Sequence, residues 1–519
     1  MRFLLLLLLV TPLLATAHAA DLNGYSARYE CRAGNPNCDV DVAALAAKNC
    51  DQTITPSTTP TTDWSAINWT NDVICIQVGD YSGRGKFTLG ASGTSGRRKV
   101  VKGVKAGGAL ADLPWSVESG SRVHVRSITC ESKDFVVVTR LWSKASPTDS
   151  PSHRAHDCSN TIFHEILIDN ENPINTALFA PFDIGRSGGE STNFTLQNSV
   201  VRNSGKATDT DKHCVYVRSN DVRIVNNEIY NCGGDAINID SDVNAFRVKI
   251  ENNDIYQGSD YLIGCDGNPG TTCNCGEDGI DIKSNNTTNP NDRIEVVHNR
   301  FWGWRTTYES CSGSGSAGFA VNAGGTGPKN FVLIKDNTIA DVSNGVNMRS
   351  NTSYWTVVGN LFYDVNHAHT PQDAPNNGDG EYSIALRLSA THNHKIYLNT
   401  TVDTKYALWV SGGATNNDLR CNVFVNVLNI NRDSVFALGS GSIANYNAFY
   451  STNPTHWPSS DTDFSIIRAS VDDAKAQPYC YSRKLRTGPE NTCAPYAQPT
   501  ANSPHYKACD PTLDIGTGF

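Results

Sequence analysis

The stretch from Asp211 to Asn351 leaves few folds open, because one ten-residue phrase recurs along it. The copies read DKHCVYVRSN (211–220), GGDAINIDSD (233–242), GEDGIDIKSN (276–285), GSAGFAVNAG (315–324) and VSNGVNMRSN (342–351), with fainter ones at 380–389 and 404–413. The fifth and seventh residues are mostly apolar and the sixth and eighth mostly polar, the period of a strand with one buried face. A second phrase follows each copy, an apolar alternation ending in Asn and then another apolar pair: VRIVNNEIY (222–230), VKIENNDIY (248–256), IEVVHNRFW (294–302), FVLIKDNTI (331–339), WTVVGNLFY (355–363) and HKIYLNTTV (394–402). Strands repeating every twenty-odd residues with no helical stretch between them are the mark of a β-solenoid, whose coils must stack because none buries its apolar side alone. The predicted fold is all-β, a right-handed parallel β-helix with disulfide-rich terminal caps. The repeated Asn suits a left-handed turn position and can bond to its equivalents up the ladder.

The chain opens with Arg2, an unbroken apolar run and Ala17-His18-Ala19, the pattern of a secretory signal peptide whose apolar core is too short to span a bilayer. Residues 1–20 are set apart on that basis, and a secreted, monomeric protein without a membrane span is expected. All 16 cysteines follow this segment, and an even count in an oxidising compartment reads as disulfides rather than a Cys-ligated metal. Residues 21–95 read as an N-terminal cap region, with Val42 to Lys48 as a short helix closing the apolar end of the solenoid. The β-helix is expected over 96–452 and a disulfide-linked tail over 453–519. A net charge of −9 argues against a nucleic-acid partner, but a local basic groove on such a protein can still take an acidic sugar.

Spacing shows where function was inserted. Arg218 and Asp240 lie 22 residues apart, whereas Asp240 and Lys283 lie 43 apart and Lys283 and Asn322 lie 39 apart. The extra loops, Gly258 to Cys275, Trp302 to Gly315 and Asn366 to Gly380, bracket the most charged strand, and solenoid insertions usually build the binding face. Stacked coils place equivalent residues about 4.8 Å apart. Position eight of the phrase then reads Arg218, Asp240, Lys283, Asn322, Arg349, Arg387. Position six reads Tyr216, Asn238, Asp281, Ala320, Asn347, Ala385, and position three reads His213, Asp235, Asp278. A patch of Asp235, Glu277, Asp278 and Asp281 therefore forms beside Lys283. Carboxylates so close raise one another's pKa unless a cation neutralises them, and Ca²⁺, which takes six to eight oxygens in irregular geometry, suits them. The plainer reading leaves the acids solvated, or bonded to turn amides and to Lys283 and Arg218.

With these residues in view, the chain resembles the pectate-lyase-like superfamily of right-handed β-helix proteins. Glu277-Asp278-Gly279-Ile280-Asp281 with Asp235 is similar to the calcium-binding acidic cluster of family nine pectate lyases. GEDGIDIKSNN followed by NRFWGW resembles the strand and Lys-Ser run of the chondroitinase B and alginate lyase class. The resemblance implies Ca²⁺-assisted β-elimination on a uronic-acid-containing polysaccharide, with Lys283 as base. Where that class carries an Arg-His pair, this chain has Asn322-Ala323, which leaves Arg349 as the substitute.

Further candidates for substrate contact are Arg218, Arg387 and His213, with Trp304, Arg305 and Tyr308 in an insertion where rings can stack on sugars. For Lys283 the plainer role is a salt bridge to Asp240 or Asp281, and a solenoid Arg is often only solubilising. A glycoside hydrolase or C5 epimerase on the same fold stays open, although the Gly-His-Gly phrase of polygalacturonases and the Asp-Pro-His-Glu phrase of mannuronan epimerases are missing. A non-catalytic β-helix, an adhesin or polysaccharide-binding protein, also stays open, since a fold does not set a function.

Overall fold

A computed structural model describes residues 35–37, 40–56, 63–144, 153–169, 182–204, 212–241, 243–258, 277–304, 318–349, 351–365, 383–411, 413–425, 429–431, 440–450, 464–468, 474–481 and 492–499. Each coil adds one short strand to each of three parallel ladders. The first ladder climbs from Gln52–Ile54 through Arg223–Val225 to Asp418–Arg420. The second passes through Val200–Ser204, Glu228–Cys232 and Asp254–Tyr256. The third carries the ten-residue phrase, and seven of its strands are labelled here: β1 (Phe182–Ile184), β2 (Val215–Val217), β3 (Ile237–Ile239), β4 (Ile280–Ile282), β5 (Phe319–Asn322), β6 (Asn344–Met348) and β7 (Ile384–Ser389). Consecutive members pair in parallel. The chain is a parallel β-helix, wound in the right-handed sense that parallel crossovers take.

The interior follows from the alternation. In the first ladder Val138, Phe163, Leu196, Ile224, Ile250, Val296, Ile334, Val357, Ile396 and Leu419 occupy one column, each over its neighbour and all buried. An inward residue on one coil therefore finds its apolar partners on the coils above and below, which is why length adds stability here.

The repeated asparagine divides into two positions. The left-handed residue is the one before it, as at Asn226, Asn252, His298 and Asp336. The ladder residue follows: Asn227, Asn253, Asn299, Asn337, Asn360, Asn399 and Asn422, all buried. From Asn253 to Asn422 each offers its carboxamide oxygen to the backbone N–H and side-chain amide of the Asn one coil below, and Asn227 accepts from the Ser199 backbone N–H. Asn299 also donates to Ile250 O at 2.9 Å. Asn299→Ala strands the Asn253 donors and the Ile250 carbonyl, so about 3 kcal/mol of destabilisation is expected. A urea midpoint close to that of the wild type would show that water replaces the amide.

Three departures from the sequence reading follow. Parallel pairing starts at Gln52–Ile54 and reaches Phe464–Arg468, inside the stretches expected to be cap and tail; strands of three to five residues are too short to show a period. Beyond them Ala474–Tyr481 and Thr492–Pro499 form an antiparallel hairpin. The helix Val42–Ala47, capped by the Asp41 side chain on Ala44 N–H, does not close the solenoid end. Val42 packs with Val137 and Ile162, residues that alternate outward between core neighbours, so the helix covers a flank.

Disulfides with both cysteines among the described residues are Cys50–Cys75, Cys130–Cys158 and Cys214–Cys232, and Cys421 is disulfide-bonded as well. One lies near the first coils and two lie within the solenoid body. The crowded Cys265, Cys273 and Cys275, and the first 20 residues, fall outside the described set. No helix among the described residues is long and apolar enough to cross a membrane.

Candidate metal centre and catalytic face

The register of the third ladder decides what meets what. Tyr216, Asn238 and Asp281 stack as expected on β2, β3 and β4. Asp281, however, pairs with Asn322, Asn322 with Asn347, and Asn347 with Arg387. The phrases at 315–324 and 380–389 are thus displaced by two residues from the sequence alignment: Asn322 and Arg387 share the column of Asp281, not that of Lys283. A shift of two keeps every side chain on its face, so hydrophobic alternation cannot detect it.

Asp235, just before β3, and Asp278 and Asp281, before and within β4, are all buried, and one carboxylate oxygen from each lies within 4.8 Å of the others. His213, Asp235 and Glu277 meet in the same way. Neutral donors orient the acids. The Asn238 side-chain amide donates to Asp235 Oδ2 at 2.6 Å. Asp278 accepts from Phe319 N–H at 2.8 Å and from the Asn322 side-chain amide at 2.7 Å, and the Asn347 amide in turn donates to Asn322 Oδ1 at 2.8 Å. His213 Nδ1 lies 3.1 Å from both the backbone N and Oδ2 of Asp235. The Cys214–Cys232 disulfide staples the corner beside His213.

Three buried acceptors in this cluster, Asp235 Oδ1, Asn238 Oδ1 and Asp281 Oδ1, have no hydrogen-bond donor. Burial and the neighbouring Asp235 push Glu277 up to about 11 and Asp281 up to about 7, and they raise Asp278 as well. Orphaned oxygens among mutually repelling carboxylates form a donor set that a hard divalent cation would satisfy, and calcium fits them.

Lys283 follows β4 on the same face, one quarter exposed, with Nζ 3.7 Å from Asp281 Oδ2. Burial works against its proton, but Asp281, Asp235, Glu277 and Asp240 outweigh it and raise its pKa. Arg349, after β6, is exposed and donates through Nε to Ala323 O at 2.8 Å; its charge reaches Asp281.

The other candidates separate. Arg218 pairs with Asp183 Oδ2 at 2.6 Å and stacks on Tyr216, whose ring lies parallel to His213. Arg387 stacks on Trp409 with its guanidinium 4.0 Å from the ring centre. Asn322 is buried, with its side-chain amide on Asp278 and its oxygen accepting from Asn347, so it orients a carboxylate of the cluster. Trp304 is not a stacking platform: it is 1% exposed, lies in the main core and donates its indole N–H to Ile255 O. Trp302 stacks on Tyr256, outside the central core. Arg305 and Tyr308, with most of the three insertions, lie outside the described residues. The sequence reading missed the Asp183–His156 pair at 3.0 Å, one coil below Tyr216, and gave Asn347 no role, because neither carries a motif.

No family model and no curated protein sequence matches the chain. Solved structures similar to it include a family 6 polysaccharide lyase from Pseudopedobacter saltans, at 12% identity over 76% of this chain and 86% of that one, TM-score 0.41. A mannuronic-acid-specific family 6 lyase from human gut microbiota aligns at 12% identity over 81% and 83%, TM-score 0.42. The A-module of a mannuronan C-5 epimerase from Azotobacter vinelandii aligns at 14% over 73% and 91%, TM-score 0.41. By its own ladders the chain is a parallel β-helix protein, and family 6 polysaccharide lyases stand among the solved structures similar to it.

Proposed function

We propose that this protein is a secreted polysaccharide lyase that cleaves a uronic-acid-containing polysaccharide by β-elimination, with Lys283 as base and calcium at the acidic cluster. The observation that carries this reading is the set of donorless buried oxygens on Asp235, Asn238 and Asp281, which the adjacent strands β3 and β4 bring beside the accessible Lys283. A bound divalent cation would supply positive charge against the substrate carboxylate and the enolate-like charge that develops beside it. Asp235, Glu277, Asp278 and Asp281 would hold that cation, and Asn238 and Asn322 fix the orientation of two of them.

Lys283 removes the proton at C5, the C5 electron pair forms a double bond to C4, and the C4–oxygen bond breaks with its electron pair going to the oxygen, which takes a proton from water. The acids that keep Lys283 protonated are the ones a cation neutralises, so its readiness as a base is tied to occupancy of the cluster. Arg349, two coils further along the ladder, has its charge within reach of Asp281 and offers a fixed positive charge to the substrate carboxylate or leaving oxygen. Arg218, Arg387 and His213 are proposed to line the path of the polymer along the ladder, and Arg305 and Tyr308 to reach it from the insertion.

The test is a screen of alginate, pectate, glycosaminoglycans and sulfated algal polymers for ultraviolet-absorbing unsaturated product, with and without chelator. New reducing ends without absorbance would make the protein a hydrolase. Altered uronate stereochemistry without chain cleavage would make it an epimerase. Binding without any product would leave a non-catalytic polysaccharide-binding protein.

A further inference from the structure

Between β5 and Lys329 the chain makes a short turn, Ala323-Gly324-Gly325-Thr326-Gly327-Pro328, that lies directly on Lys283. A Cβ at Gly324 would fall 2.1 Å from Asp281 Oδ1, one at Gly325 3.3 Å from Lys283 Cβ, and one at Gly327 3.1 Å from Lys283 O. Gly325 also sits at φ +62°. The turn therefore needs glycine for close approach as well as for conformation, and three glycines give it many alternative shapes. On its other side Ala323 O accepts Arg349 Nε, and Thr326 O accepts the Asn351 side-chain amide.

Beneath it lies Lys329, fully buried. Its ammonium donates to Gly327 O at 2.6 Å and to Gly325 O at 3.3 Å. Among the described residues no carboxylate lies within ion-pair distance of it, and burial together with Arg349 lowers its pKa to about 8. A buried ammonium that holds only backbone carbonyls is a costly way to stabilise a fold, yet its bonds close a turn that touches Lys283, Asp281 and Arg349 together.

We propose that Lys329 is a positioning residue: by clasping Gly325 O and Gly327 O it sets the glycine turn that fixes Lys283 and Arg349 relative to each other. The clasp stands on this chain's own geometry; its catalytic consequence rests on the lyase reading. Removing it with Lys329→Met, which keeps the apolar stem, frees the turn without emptying the site.

The test compares wild type, Lys329→Met and Gly325→Ala, each checked for a native circular dichroism spectrum. Deuterium uptake in the peptide spanning 318–330 is expected to quicken at least tenfold in Lys329→Met, while the Asn ladder keeps its protection. The rate at which an amine-reactive reagent labels Lys283 is expected to change at least threefold. On a polymer that the wild type cleaves, kcat falls tenfold or more with KM within about threefold, Gly325→Ala reproduces this, and the double variant is no worse than the poorer single. Unchanged exchange in the turn, or unchanged Lys283 labelling, overturns the proposal whether or not a substrate is known. Faster exchange with wild-type kcat overturns the positioning role. A wild type inactive on every polymer defeats the lyase reading alone, and the clasp is then judged on exchange and labelling.

Discussion

Lys283→Ala is expected to lower the rate of unsaturated product formation by about a thousandfold, within the range that a positioned general base contributes, while the polymer still binds. Among the described residues Lys283 is a solvent-accessible amine against the acidic cluster, with Nζ 3.7 Å from Asp281 Oδ2. Its proton is held by Asp281, Asp235, Glu277 and Asp240, so the wild-type rate should rise with pH, and the midpoint should move to lower pH as calcium fills the cluster. Initial rates followed by ultraviolet absorbance across pH, at low and saturating calcium, read both effects. A variant that retains more than a tenth of the activity would remove Lys283 as the base.

Calcium is expected to raise thermal stability, and to raise it more as pH increases. Asp281, at about 7, and Glu277, at about 11, have folded-state pKa values above their ordinary ones. Their favourable contribution is fully present below about pH 4, where they are protonated in both states, and is lost as pH rises through the folded values. The metal-free protein thus carries growing repulsion toward pH 8. A cation bound there removes it, and calcium at a hundredfold its Kd adds about 2.7 kcal/mol. The buried His153 and His394, held at about 3 by burial, act in the opposite sense below pH 6.5, so the difference with and without calcium is the proper readout. Asp281→Asn should abolish that difference while leaving the metal-free protein at least as stable as wild type at pH 8. A calcium shift that is flat with pH, or that survives Asp281→Asn, would place the ion elsewhere.

Much of this molecule is fixed by its local pattern. Alternating apolar residues at constant spacing can bury their inward face only by stacking, and Asn253, Asn299 and Asn337 recur at the same point of each coil because one carboxamide can satisfy the next. The pairing of Asp235, Asp278 and Asp281 beside Lys283 was legible for the same reason: coils β2 to β4 keep a common register. Tertiary structure decided the rest. Whether Asn322 faces Asp281 or Lys283 depends on a slip of two residues, which leaves the in-and-out pattern unchanged, and only hydrogen bonding between coils chooses. Trp304 reads as an exposed ring in an insertion until the core closes over it. Lys329 has no motif at all, because the two carbonyls it holds come together only when the glycine turn folds against the coil below.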